Sequence, residues 1–442
     1  MEALQGSLSR AGRGSGTESM PRFRGLDMIA RVMRAVASPA EGVRETALLK
    51  LSRWALLATI AGLPTYVVRW HYGPIPTTLL ESLIIVTVGL YVVARWRDGW
   101  RRPLSTPYDI PILLLLLAGA ISVFVAKDHR GALGLYRAYF IEPVAVFYVA
   151  IDLLRRIEHI GRALLALAAG SSAFAILNLI VFANTVIHHQ LIVGSPPSAL
   201  YGDSNYVAMY LESPVAIAAG LVLFANNSRW RWIGAGWLAI TGAALFVMFS
   251  KGTYLAMAAL AVVAVVSVRR WRVPLTAGLI AAALLVALLP PIQERFSTLY
   301  ASYAGRIQLF TIAFRMLHES PYFGVGLGGY SFKLNGTTPE LYPHDIWLTF
   351  WVEIGLLGLI AFAVILFGLL WRGWQAWPRT QGLEKAVLWG VLGALVLWTV
   401  HGLVDSPYWK NDMSVEFWVL AAIEVAILAS ASPPKPSTVI GK

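Results

Sequence analysis

The fold class predicted by the sequence is all-α: a polytopic integral membrane protein with about 12 transmembrane helices and one large extracytoplasmic loop. Three observations lead there. The 442-residue chain is 57% hydrophobic and only 14% charged, whereas a soluble globular chain is about 25% charged; its mean hydropathy is +0.64. Its apolar residues form continuous runs of about the 20 residues that cross a hydrocarbon core, without the alternation of a barrel strand. Its basic residues lie between those runs and favour one side.

The elements follow in order. Residues 1–20 are rich in Gly, Ser and Arg, a composition that does not build a core. No apolar stretch follows Met1, so no cleavable signal peptide is expected. Leu26, Ile29, Met33 and Val36 then recur at helical spacing with Arg31 and Arg34 off their stripe. That pattern fits an interfacial amphipathic helix, and equally a tail with weak helical tendency. Residues 1–50 therefore read as a basic cytoplasmic segment. Apolar runs follow at 54–70, 76–94, 108–126, 138–154, 163–184, 206–225, 232–249, 252–268, 273–292, 345–371, 384–404 and 413–431. The first is short and holds Pro64; the fourth carries Glu142 and Asp152. Spans 1–9 thus occupy 51–292, spans 10–12 occupy 345–431, and 432–442 form a tail.

With the N-terminus inside, 26 of the 36 Lys and Arg residues fall in inner segments and 10 in outer ones. The positive-inside rule then sets both termini in the cytoplasm. The longest connection, 293–344, lies outside. A loop of this length is usually functional or disordered. Here a helical stretch from Tyr303 to Leu317, a Pro-Gly-rich turn at 321–329 and several aromatics predict a folded loop.

Several function classes are disfavoured. The net charge of +12 is dispersed between apolar runs, unlike a nucleic-acid-binding patch, so no nucleic-acid partner is expected. The absence of cysteine removes disulfides and thiolate chemistry. There is no H-E-x-x-H, G-x-S-x-G or P-loop, no acidic first outer loop, and no outer Asp-x-Asp. No metal and no cofactor are expected. Gly324, Gly326 and Gly329 match G-x-G-x-x-G by spacing but lack a strand–turn–helix setting; a flexible turn with free backbone N–H groups is the plainer reading. No repeat with matching broken helices points to an inverted-repeat transporter.

Polar groups at the outer membrane boundary are the candidates for chemistry. Lys251, in Ser250-Lys251-Gly252, lies between two apolar runs and either snorkels or faces an anion. Arg306 and Arg315 lie on opposite faces of one helix at about 100° per residue, so one of them faces a given site. His344, in Tyr342-Pro-His344-Asp345 before an apolar helix, is a candidate general base. Tyr201-Gly-Asp203-Ser-Asn205 and the stretch from His401 through Asp405 and Lys410 to Asp412 are further polar clusters; the second also fits a turn with interfacial aromatics.

These parts, in this order, resemble the O-antigen ligase superfamily of bacterial membrane glycosyltransferases, which also includes O-antigen polymerases and protein O-oligosaccharyltransferases. The resemblance covers roughly residues 195–430. It rests on Gly202-Asp-Ser-Asn205, Ser250-Lys251-Gly252, Arg306 with Pro321-Tyr-Phe-Gly-Val-Gly-Leu-Gly328, and His344 followed by Glu353-Ile-Gly-Leu-Leu-Gly358. It implies a GT-C-like fold in the bacterial inner membrane, with the long loop capping an extracytoplasmic cavity. It implies a glycan donor on polyprenyl diphosphate and metal-independent, inverting transfer to the hydroxyl of a glycan, lipid or protein acceptor. By motif, His344 takes the catalytic histidine position, and Arg306 and Lys251 take the diphosphate-binding positions. Arg315, Asp345, Asp203, Asn205, Asp405 and Lys410 are expected as supporting or acceptor-side groups.

Two residues depart from the family pattern. Lys251 replaces the usual arginine, keeping a cation but losing its bidentate fork. Asp345 replaces the usual asparagine, and a carboxylate there either raises the pKa of His344 or faces solvent. A polymerase fits the same motifs. A lipid-linked sugar transporter or flippase would use mid-membrane Glu81, Glu142 and Glu212, and a scaffold with a decayed site would explain the two departures.

Overall fold

The computed structural model describes residues 46–73, 75–98, 105–333 and 339–430. The amphipathic helix expected from Leu26 and the tail at 432–442 lie outside the described residues. Each of the twelve apolar runs coincides at least in part with a helix: α1 (Ala47–Ala61), α2 (Leu79–Asp98), α3 (Asp109–Val125), α4 (His129–Leu153), α5 (Ile157–Ile187), α6 (Ser204–Phe224), α7 (Ser228–Val247), α8 (Lys251–Ser267), α9 (Arg272–Ala287), α12 (Ile346–Ala376), α13 (Gly382–His401) and α14 (Asn411–Ser430), with α10 (Pro290–Ser297) and α11 (Leu299–Glu319) between α9 and α12. Among the described residues, α2, α4, α5, α6, α7, α12, α13 and α14 are long and apolar enough to cross a membrane. The pair α9 and α10, bent by 77°, makes a ninth if counted as one span, and α3 and α8 are shorter apolar helices. The protein is thus a polytopic helical membrane protein, and a count of twelve takes in the short helices as well.

The starts of several helices follow from local chemistry. Thr46, Asp203, Asn227, Ser250 and Asp345 each sit at an N-cap and accept a hydrogen bond from a first-turn N–H, as such residues do. Thr78 and Glu81 form a reciprocal capping box on α2. The first run departs from expectation. Its second half leaves the helix at Gly62, passes through a short 3-10 turn holding Pro64, and enters a hairpin of β1 (Arg69–Tyr72) and β2 (Ile75–Thr78). Proline supports the first turn of a new helical segment, not the interior of an old one. A second small hairpin pairs β3 (Phe332–Lys333) with β4 (Pro339–Glu340).

The fourth run is interrupted by a π turn at Arg137–Ile141. Pro143 has no N–H to offer the carbonyl four residues back, that of Tyr139. The Tyr408 hydroxyl fills that place, 2.7 Å from the Tyr139 oxygen. Arg137, half-buried at the start of the turn, pairs with Glu81 at 2.9 Å and Glu142 at 3.2 Å.

The core runs along α14, whose span is 94% buried and which packs on α4. Helix α13 packs on α6, α7 on α6, α8 on α13, α3 on α12, and α1 on α2 and α5. The close α6–α13 crossing needs small residues, since a Cβ at Gly220 would lie 2.4 Å from the Ala386 oxygen.

Among its described residues the long loop holds helical structure. Its helix, α11, begins before Tyr303 and carries both Arg306 and Arg315. The turn after it is not the flexible turn with free N–H groups that its glycines predict. The Val325 N–H donates to the Val352 oxygen at 2.7 Å. The Gly328 and Tyr330 N–H groups donate to the buried Glu353 carboxylate, the latter at 3.1 Å. Helix α12 breaks at Gly355, with φ 75° and ψ 177°, so the Leu356 N–H reaches out to the Tyr322 oxygen at 3.0 Å. The two glycine-containing motifs are therefore two halves of one clasp that fixes the loop to α12.

Gly324 has φ +67° and a Cβ there would lie 2.1 Å from the Val352 oxygen, whereas Gly73, with φ +58°, has open space around it. In thermal unfolding in detergent, Gly73→Ala should lose only the left-handed penalty, about 1–2 kcal/mol. Gly324→Ala should lose clearly more; equal losses would contradict the clasp.

Candidate functional site

The N-termini of α6, α8, α12 and α14, the C-terminus of α13 and the loop helix α11 gather at one end of the bundle, where the sequence motifs meet. His344 stands one residue before the cap of α12, with φ 55°. The left-handed region is uncommon for residues other than glycine, although His is enriched there. Phe249, before Ser250, and Leu200, ahead of Asp203, also have positive φ, at 49° and 47°. Such strain gathers where surrounding contacts over-determine the backbone.

The His344 Nδ1 lies 3.1 Å from the Asp405 carboxylate, on a side chain only 2% exposed, while His344 itself is 28% exposed. Burial would raise the Asp405 carboxyl, but the charge and hydrogen bond of His344, the charge of His401 and the Ser406 N–H outweigh it and hold the pKa at about 2. Asp405 is therefore ionised and can only accept, so the His344 Nδ1 carries the hydrogen. That leaves Nε2 as the basic nitrogen, oriented by its carboxylate partner.

The second oxygen of Asp405 accepts from the Asn205 amide, whose own oxygen accepts from the Ser250 hydroxyl. Ser250 caps α8 through the Thr253 N–H. The Thr253 hydroxyl donates to Glu212 at 2.8 Å, and His401 Nδ1 lies 2.5 Å from the same Glu212 oxygen. One hydrogen-bonded chain thus runs from His344 to His401 through residues of α6, α8 and the α13–α14 turn. Gly252 completes it sterically, since a Cβ there would lie 2.5 Å from His401 Nε2.

Lys251 follows Ser250 directly, and its ammonium donates to the Thr298 hydroxyl at 2.9 Å. It is within electrostatic reach of Arg295 and Arg306, and Arg306 also acts on His401. Three cations thus converge beside the chain that holds His344. Arg295 was not among the sequence candidates; its guanidinium also donates to the carbonyls of Phe249 and Gly194, both at 2.9 Å. Glu212 and His401 were missed as a pair because 189 residues separate them.

The remaining candidates fall into place around this chain. Asp203 caps α6 and accepts from the Asn205 N–H at 2.7 Å. The Lys410 ammonium sits 3.4 Å from the centre of the Tyr206 ring, a cation–π contact. Burial pushes Lys410 down from its ordinary pKa against the opposing pull of Asp412, Asp405 and Asp203. The Tyr206 and Tyr342 hydroxyls are hydrogen-bonded, and the Tyr342 ring lies edge-on to His344 at 5.1 Å. Arg315 is exposed on α11. Asp345 caps α12, accepting from the Leu348 N–H at 2.7 Å. Burial raises its pKa, while the Leu348 and Trp347 N–H groups pull it down. Asp and Asn are about equally good caps, so this departure leaves the helix start intact.

The turn at 402–410 is held on several sides. The Ile346 N–H donates to the Gly402 oxygen at 2.7 Å, Thr349 and Ser406 share a hydrogen bond of 2.7 Å, and Trp418 donates to the Tyr408 hydroxyl at 2.9 Å. Among the described residues, no three His, Asp or Glu side chains converge as a metal-binding group. The arrangement offers a histidine oriented by a fixed carboxylate behind it and a group of cations beside it.

No curated protein matches the chain. Residues 236–363 match the family described as O-antigen ligase. That segment contains Ser250-Lys251-Gly252, Arg306, the clasp around Glu353 and His344, and the match bears out the resemblance of this membrane protein to the O-antigen ligase superfamily.

Proposed function

We propose that this protein is a membrane glycosyltransferase that moves a glycan from a polyprenyl diphosphate carrier to an acceptor hydroxyl on the extracytoplasmic side of the bacterial inner membrane. The family match supports a ligase- or polymerase-like membrane glycan enzyme. The observation that carries the finer reading is the His344–Asp405 pair at 3.1 Å, joined through Asn205 and Ser250 to the residue before Lys251.

In this reading His344 Nε2 takes the proton of the acceptor hydroxyl as the acceptor oxygen bonds to the anomeric carbon of the donor. The bond from that carbon to the diphosphate oxygen breaks, and the electron pair leaves with the polyprenyl diphosphate. Asp405 holds the imidazole and stabilises the imidazolium that forms. Lys251 and Arg306, with Arg295 nearby, neutralise the leaving diphosphate, so that protein cations do this without a metal. A single displacement inverts the anomeric centre. Lys251 binds phosphate as a point charge where the family uses a fork.

The buried acids that a transporter would use have structural partners here. Glu81 and Glu142 meet Arg137, and Glu212 meets His401. A polymerase would use the same donor machinery, and the acceptor decides between the two.

The test is release of polyprenyl diphosphate by the purified protein, in detergent with EDTA, from a fluorescent lipid-linked glycan with and without candidate acceptors. Release should depend on acceptor and survive EDTA. His344→Ala should lower it about 10²–10⁴-fold, and Arg306→Ala and Lys251→Ala each by about 10²-fold. Variants as active as the parent protein would overturn the assignment.

Asp405 supplies a second prediction. Its depressed pKa means that it contributes stability above its ordinary value of 3.8, and that this contribution is lost as pH falls towards about 2. Asp405→Asn should therefore remove part of the drop in melting temperature that the parent protein shows between neutral and strongly acidic pH. The same variant should lower transfer by up to about 10⁴-fold, the loss known when an imidazole base loses its orienting carboxylate. An unchanged rate would remove Asp405 from the mechanism.

A further inference from the structure

At the end of the bundle opposite His344, the first turns of α1 and α5 enclose a cavity of about 420 Å³. It plays no part in the transfer chemistry. Helix α1 contributes Lys50, Arg53 and Trp54, and α5 with its cap contributes Arg156, His159 and Arg162. Glu158 is the one carboxylate in the lining, and its oxygen is 3.3 Å from the Arg156 Nε. Four permanent cations thus face one acid. Arg53 is braced by a hydrogen bond of 3.2 Å from its Nε to the Leu153 oxygen.

Two further features favour an anion. Helix α5 opens here, and Arg156 at its N-cap supplies no side-chain cap. The His159 and Ile160 N–H groups donate to the Arg156 oxygen at 2.9 and 3.1 Å, and the positive end of the helix dipole lies beside the same residues. Trp54, 63% exposed, stands beside the cations, the pairing of aromatic and basic residues found at a membrane–water boundary.

We propose that this cavity binds a phosphate-bearing anion, the headgroup of an acidic membrane lipid. The cations would hold the phosphate, Trp54 would lie at headgroup level, and the acyl chains would follow the apolar flank of α1. A basic pocket between membrane helices suits that ligand class. The site is separate from the diphosphate cradle, which lies at the other end of the helices.

The full chain, delipidated in detergent, would be titrated with phosphatidylglycerol, phosphatidylcholine or inorganic phosphate, and bound lipid counted by native mass spectrometry. Phosphatidylglycerol should bind more tightly than phosphatidylcholine. At about 1 kcal/mol per cation near the surface, Lys50→Gln should weaken phosphatidylglycerol binding about fivefold and Lys50→Gln with Arg162→Gln about thirtyfold. Arg97→Gln, an exposed cation on α2 outside the cavity, should leave it unchanged. The single variant keeps the test decisive should the double variant not fold. Equal binding of the two lipids, or variants that bind like the parent protein, would overturn the proposal. Displacement of phosphatidylglycerol by inorganic phosphate would assign the cavity to a soluble phosphate and overturn the lipid headgroup.

Discussion

Asp405 is a carboxylate buried to 1% exposure at the end of a membrane bundle, and an isolated charge there would be expensive. It is stabilised because it accepts from His344, Asn205 and the Ser406 N–H at once. Those donors come from the entrance to α12, the start of α6 and the turn itself. Satisfying one carboxylate thus requires segments far apart in sequence to meet at a fixed geometry. The meeting orients the imidazole and sets the Ser250 cap, and with it Lys251. The Tyr408–Tyr139 hydrogen bond, made available by Pro143, steadies the same turn from the side of α4.

A second buried carboxylate, Glu353, does for the loop what Asp405 does for the site. Its two oxygens take the N–H groups of Gly328 and Tyr330, and the break at Gly355 turns another N–H towards Tyr322. The family-like motifs therefore divide by role. Those around Asn205, Ser250 and His344 build the hydrogen-bonded chain at one end of the bundle. Those around Gly324 and Glu353 hold the loop whose helix carries Arg306. Loss of a clasp residue would loosen the cation rather than remove it.

Much of this was legible in the sequence. Apolar runs located the helices, and cap residues such as Asp203 and Ser250 marked their starts. Polar density at one boundary of the apolar runs singled out His344, Asn205, Asp405 and Lys410, because such groups are excluded from lipid without a reason. What was not legible was pairing. The Asn205–Asp405 contact spans 200 residues, and no spacing rule reaches that far. The capping role of Asp345 was not legible either: its carboxylate turns back onto the first turn of α12. Lys251 and Arg306 were expected as a pair, but the third cation, Arg295, depended on the bend between α9 and α10. The turn at 321–329 was misread because its glycines serve close backbone approach, not mobility.

The central claim is that the oriented base and the converging cations form one site for a lipid diphosphate. The most direct test is a cryo-electron microscopy structure of the protein in nanodiscs with a non-hydrolysable glycan on polyprenyl diphosphate. The account predicts both phosphates between Lys251 and Arg306, with the anomeric carbon facing the Nε2 side of His344. Phosphates bound away from these cations, or a glycan held out of reach of His344, would contradict it.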